Sequence, residues 1–211
     1  MIKILSIQVG QPRQIIFGKK EVQTSIFKNT IASSVFVDKL GLVGDTQSDL
    51  SVHGGLYKAV YAYPQEHMDY WKKQMSSHLI EPGAFGENLT TEGLLESEGC
   101  IGDSFQIGDV VLRITQPRFP CYKLNAKFGD AQMVKRFQDS GRPGIYFEVL
   151  KTGSITVGDE LVKIDAGSDV SINQFVSARM AKEPDTEVIA RILAIPSLIK
   201  EWKDYFEKEI S

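Results

Sequence analysis

The chain has 211 residues, about one ordinary domain with a small addition. Its 24 Lys and Arg against 27 Asp and Glu leave a net charge of −3, which argues against a protein that grips DNA or RNA by neutralising phosphates. No apolar run approaches the roughly 18 residues needed to cross a bilayer, and two cysteines, Cys100 and Cys121, exclude a disulfide scaffold. A cytoplasmic enzyme or binding protein is expected.

The opening stretch Met1–Ile7 is too short for a signal peptide and reads as a strand, continuing through Ile4–Val9. Val22–Phe27, Ser34–Val37 and Ala59–Tyr63 follow, rich in β-branched and aromatic residues. Pro64 to about Met75 predicts a helix with proline in its first turn and His67, Tyr70 and Trp71 on one face. Asp109–Thr115 reads as a strand, Ala131–Gln138 as a helix and Gly144–Leu150 as a strand. Gly-Asp recurs at 44–45, 102–103, 108–109, 129–130 and 158–159, a pair suited to tight turns. Many short strands with such turns predict a barrel or strongly bent sheet over residues 1–165. From about Ser168 the period becomes helical. Ser171 with Gln174 fits a capping box, and Pro184-Asp185 and Pro196-Ser197 each precede an apolar stripe. Residues 166–211 are therefore read as a three-helix appendage.

Standard phosphate-loop, dinucleotide, zinc-protease, C-x-x-C and nucleophile-elbow motifs are absent, and the scattered His and Cys do not suggest a structural zinc site. The most unusual segment is Gln116-Pro117-Arg118-Phe119-Pro120-Cys121-Tyr122-Lys123-Leu124. Two prolines stiffen the chain ahead of Cys121 and predict a non-helical loop. Arg118 or Lys123 near the sulfur would favour thiolate; an inert, buried cysteine is the plainer alternative. Gly41–Gln47 and His53-Gly54-Gly55 with Lys58 suggest either a turn or backbone that approaches an anion. Phe85-Gly86-Glu87-Asn88-Leu89-Thr90-Thr91-Glu92-Gly93-Leu94 lacks a strand pattern, and Asn88 is read as an Asx turn or a rigid hydrogen-bonding group. His67 and His78 receive no role.

Taken in order, Gly41–Asp45, His53-Gly54-Gly55 with Lys58-Ala59-Val60, Phe85–Leu89 and Gln116–Leu124 make the chain similar to the MOSC family (molybdenum cofactor sulfurase C-terminal domain), in its YiiM-like branch. The resemblance spans nearly the whole chain, since that branch also carries three C-terminal helices. It implies a mainly β fold, a pyruvate-kinase-type barrel with added helices, and a molybdenum-pyranopterin cofactor ligated by Cys121. Thiolate is a soft ligand suited to that metal. By position and chemical type, Arg118, Lys123 and Lys58 are expected to clamp the pterin phosphate, and His53 and Asn88 to bond the pterin or orient ligands. The family's activity implies reduction of N-hydroxylated purines or amidoximes to amines, with Asp45 or His53 delivering protons. Two cysteines cannot hold an iron–sulfur relay, so electrons are expected from an external donor. Two alternatives stay open: a persulfide carrier loaded on Cys121 by a cysteine desulfurase, and a non-catalytic module that binds partners through Trp202, Tyr205 and Phe206.

Overall fold

The computed structural model describes residues 1–18, 20–48, 54–75, 78–183 and 185–210. Its strands are β1 (Ile2–Val9), β2 (Arg13–Phe17), β3 (Lys20–Thr24), β4 (Asn29–Ile31), β5 (Val35–Asp38), β6 (Gly41–Leu42), β7 (Val60–Pro64), β8 (Leu89–Glu92), β9 (Ser104–Ile107), β10 (Val110–Pro117), β11 (Ile145–Lys151), β12 (Gly153–Ile155) and β13 (Glu160–Asp165). Its helices are α1 (Gln65–Gln74), α2 (Tyr122–Phe128), α3 (Met133–Asp139), α4 (Ile172–Met180), α5 (Thr186–Leu193) and α6 (Lys200–Glu209).

Seven strands close a barrel in the order β13-β9-β10-β11-β7-β8-β1, where β1 pairs back onto β13 through Ile2 opposite Leu161. The pairs are antiparallel except β7 and β8, which run parallel and are bridged by α1, the crossover such a pair requires. Along β10, Val110, Leu112 and Ile114 are buried while Val111 and Arg113 are partly exposed, the period of two that points one face inward. The five Gly-Asp glycines all have positive φ, as the turn reading required.

The three C-terminal helices share the barrel's apolar core: Ile172, Phe175, Ile189, Ile192 and Phe206 pack in the same cluster as Leu112, Ile114 and Phe147. At the joint, backbone crosses backbone. A Cβ on Gly167 would lie 2.0 Å from the carbonyl carbon of Gly102. Beside that crossing the buried Asp103 carboxylate accepts from Cys100 N (2.9 Å), Lys163 Nζ (2.7 Å) and Gly167 N (3.1 Å). Ser171 and Gln174 form the expected capping box.

Several expectations are corrected. Cys121 is not followed by loop: residues 122–128 form α2, closed by Gly129 in the left-handed region. The prolines rigidify what precedes Cys121 and leave the residues after it free to coil. Residues 89–92 are a strand even though Thr90 and Thr91 are fully buried, because β8 is enclosed by the barrel on one side and α1 on the other. The strand expected over Val22–Phe27 ends at Thr24 and pairs with β2, which the sequence reading missed, as it missed β9, β12 and β13. The last helix starts at Lys200, after Ile199, not at Pro196-Ser197. The aromatic stripe of α6 is packing: Phe206 is fully buried, and Trp202 and Tyr205 lie against the core.

Candidate functional site

β10 leaves the barrel at Pro117 and runs through Arg118 and Pro120 to Cys121, the extended residue that caps α2 (φ −118°, ψ 175°). Here the chain borders a hollow of about 110 Å³. Six of the residues singled out from sequence line it: Asp45, Lys58, Asn88, Arg118, Cys121 and Lys123. His53 lies outside the described residues.

Each is held by a different part of the fold. Arg118 is buried, donates from Nη1 to the Phe85 carbonyl, and lies over the Tyr61 ring at 4.8 Å and the Phe137 ring at 5.6 Å. A planar cation set on aromatic faces and tied at one end is already oriented for an anion. Asn88 is the rigid group and not an Asx turn: its Oδ1 accepts from Tyr61 N (3.1 Å), and its Nδ2 donates to Asp45 Oδ2 (2.8 Å) and more weakly to the Gln8 carbonyl (3.4 Å). Lys58 ends the 3₁₀ turn Leu56–Lys58, where burial lowers its ammonium pKa against the opposing pull of Glu201. Lys123 is buried in the first turn of α2. Gly86 must be glycine, since a Cβ there would meet Ile26 Cγ1 at 2.8 Å in a left-handed backbone.

Asp45 is the most heavily bonded of the set. Its two oxygens accept from Lys28 Nζ (2.5 and 2.6 Å), Gly10 N (2.6 Å) and Asn88 Nδ2 (2.8 Å). Three donors make four hydrogen bonds to it and consume its acceptor capacity, so the geometry makes it an anchor. Burial pushes the Lys28 ammonium pKa down even with Asp45 beside it.

Sequence reasoning missed Lys28, Tyr61 and Tyr146, which also line the hollow. Burial raises the phenol pKa of both tyrosines against the neighbouring Arg118, so both keep their protons at neutral pH. Behind the wall, Lys127 donates to the carbonyls of Ile26 (2.9 Å) and Gly83, and burial lowers its pKa to about 7, opposed by Glu87. Glu87 is fully buried, which raises its pKa against the pull of Lys127, and it accepts from the backbone N–H groups of Gly83 and Phe85. Together these two side chains fix the 83–87 loop from which Asn88 emerges. No local pattern marks Lys28 or Tyr146; only the fold brings them to Cys121.

The charge count of the hollow is unbalanced. Among the described residues, Lys28, Lys58, Lys123 and Arg118 line it with one carboxylate, that of Asp45. Such a hollow suits an anion, with a thiol at its edge able to bind a soft metal once deprotonated.

Comparison with known proteins agrees with this architecture. The family model for the MOSC domain matches residues 49–162, a span that holds Lys58, Asn88, Arg118, Cys121, Lys123 and Tyr146 but neither Lys28 nor Asp45. The chain is 37% identical to the uncharacterised protein YflK of Bacillus subtilis over 98% of its own length and 93% of that protein's. It is 33% identical to the protein YiiM of Escherichia coli over 88% of this chain and 84% of that one. A Gibberella moniliformis protein named a reductase is 35% identical over 75% of this chain, which corresponds to 28% of that longer protein. Among solved structures, YiiM from Geobacillus stearothermophilus superposes with a TM-score of 0.84 at 32% identity over the whole of both chains. With its closed barrel, its cysteine loop and full-length relatives of this kind, the chain belongs to the MOSC domain family.

Proposed function

We propose that this protein holds a molybdenum-pyranopterin cofactor at Cys121 and reduces N-hydroxylated compounds of the hydroxylaminopurine or amidoxime type to amines, using electrons from a separate donor. The observation that carries this reading is Cys121 at the edge of a hollow that Arg118, Lys28, Lys58 and Lys123 line in a chain whose net charge is −3. The residues present fit the group: a soft sulfur donor for the metal, and a guanidinium with three ammonium groups for its anionic end. When bound, the cofactor would supply the two-electron redox change.

The chain's own residues bind, orient and hold protons. The Cys121 thiolate ligates the metal. Arg118, fixed by Phe85 and its aromatic bed, sets the angle of the bound anion, while Lys58 and Lys123 add point charges. Lys28 is held by Asp45, and Asp45 by Asn88, so the far wall is a rigid relay of hydrogen bonds. The protonated Tyr146 phenol donates a hydrogen bond to the substrate's hydroxyl oxygen, the part first assigned to Asp45 or His53.

The test is expression in a host that makes the cofactor, followed by reduction of an N-hydroxylated purine with a chemical reductant. Cys121→Ala is expected to lose both metal and activity. Tyr146→Phe is expected to keep its molybdenum and lose about a hundredfold in rate, the usual effect of removing one such donor. Full activity in Cys121→Ala would overturn the proposal. Metal-free wild type that gains one sulfur on Cys121 from a cysteine desulfurase would establish the carrier role instead.

A further inference from the structure

α2 begins at the residue after Cys121 and carries Lys127 near its other end, where the side chain stands behind the wall of the hollow. Its ammonium donates to the carbonyl of Ile26 (2.9 Å) and to that of Gly83. Ile26 belongs to the stretch after β3 that lines the hollow with Thr24, Ser25 and Lys28. Gly83 opens the loop that leads to Asn88. Within that loop Glu87 accepts from Gly83 N and from Phe85 N (3.0 Å), and the Phe85 carbonyl accepts from Arg118 Nη1. A continuous run of contacts therefore joins the helix that Cys121 caps to the guanidinium that shares its hollow. The charged groups that act on Lys127 come from four segments: Glu87 of the loop, Arg118 after β10, Lys28 before β4 and Arg13 of β2. Arg13 is stacked over the Phe27 ring at 3.1 Å, a ring that Lys127 also approaches at 5.5 Å.

We propose that Lys127 is a positioning residue: its charge sets how the Arg118 guanidinium stands to the Cys121 thiol. As an ammonium it makes charge-assisted bonds to both carbonyls, stronger than those of a neutral amine, and the 83–87 loop then holds Arg118 in one orientation. As pH rises through about 7 that charge leaves, the two bonds weaken and the guanidinium gains freedom. A bolt that only held the fold together would serve alike on both sides of that pH. The proposal rests on the function proposed above only in treating Arg118 and Cys121 as partners, and thiol reactivity reads it without any cofactor.

The experiment compares alkylation of Cys121 in the full-length protein by iodoacetate, an anion, and by iodoacetamide, its neutral counterpart. Their rate ratio cancels the thiolate fraction and the exposure of the sulfur, and so reports the aligned cation. Peptide mass spectrometry scores Cys121 apart from Cys100. At about pH 6 the wild-type ratio is expected to exceed that of Lys127→Met about fivefold, the size of coupling within one hydrogen-bonded network. At about pH 8, beyond the loss of the charge, the two are expected to converge. Lys127→Arg keeps its charge and is expected to hold the high ratio at both pH values. In an Arg118→Met background, Lys127→Met is expected to change nothing further. Equal ratios for wild type and Lys127→Met at the lower pH, a low ratio in Lys127→Arg, or an undiminished Lys127→Met effect without Arg118 would overturn the proposal. Absence of molybdenum from the wild type would defeat the cofactor reading and leave these ratios as they stand.

Discussion

Two regions of this molecule bury charge, and they do it differently. At the joint between barrel and appendage, Asp103 has no exposure and its oxygens are matched by Lys163 and two backbone N–H groups. In the hollow, among the described lining residues, four cations stand with one carboxylate, which is committed to Lys28, while Lys58 also feels Glu201. Charge that only holds a fold together is matched group for group, because an unmatched buried charge costs several kcal/mol. A surplus of one sign is tolerated where a ligand completes it.

The joint is where substitution is expected to cost most stability. Gly167→Ala drives a methyl group into the Gly102 backbone, with an expected loss of about 3 kcal/mol in urea unfolding. Asp103→Ala strands two backbone donors and is expected to cost about 2 kcal/mol by the same measurement. The hollow is expected to behave in the opposite sense. Lys123→Met removes one surplus cation, so stability should stay within about 0.5 kcal/mol of wild type or rise, while anion affinity falls. A loss as large as that of Asp103→Ala would erase the contrast.

A smaller effect is read in pH. Lys127 sits near 7 in the folded chain against 10.5 as its ordinary value, so the unfolded state binds more protons between those limits. Stability should therefore rise with pH across that window, and Lys127→Met should flatten the rise. Glu87 works the other way in its own, more acidic window: its raised value gives stability at low pH that is lost as pH climbs through the folded value.

What the sequence disclosed follows from the range of the forces involved. β1, β7, β10 and β11 were legible within a residue or two because composition or alternation marks them, and α4 because Ser171 and Gln174 form a local cap. β8 was not, because Thr90 and Thr91 are buried polar residues whose surroundings come from distant strands. α2 carried one readable signal, Gly129 at its end, which the upstream prolines obscured. Of the site, Cys121, Arg118, Lys123, Lys58, Asn88 and Asp45 were found through motif likeness, and the hollow gathers them. Lys28 and Tyr146 lie 93 residues before and 25 after Cys121 by their numbers, with no local pattern tying them to it. Asp45 was read as an acid because a carboxylate near a site invites that role; its three donors are visible only in the fold.

The central claim is that the surplus cations and Cys121 form one receptacle for a metal-bearing anion. Its most direct test is the molybdenum and pterin content per chain of protein purified from a cofactor-producing host, wild type beside Cys121→Ala. The account predicts molybdenum and pterin together in the wild type, and loss of the metal from a folded Cys121→Ala protein. Equal molybdenum in both, or none in the wild type, would contradict it.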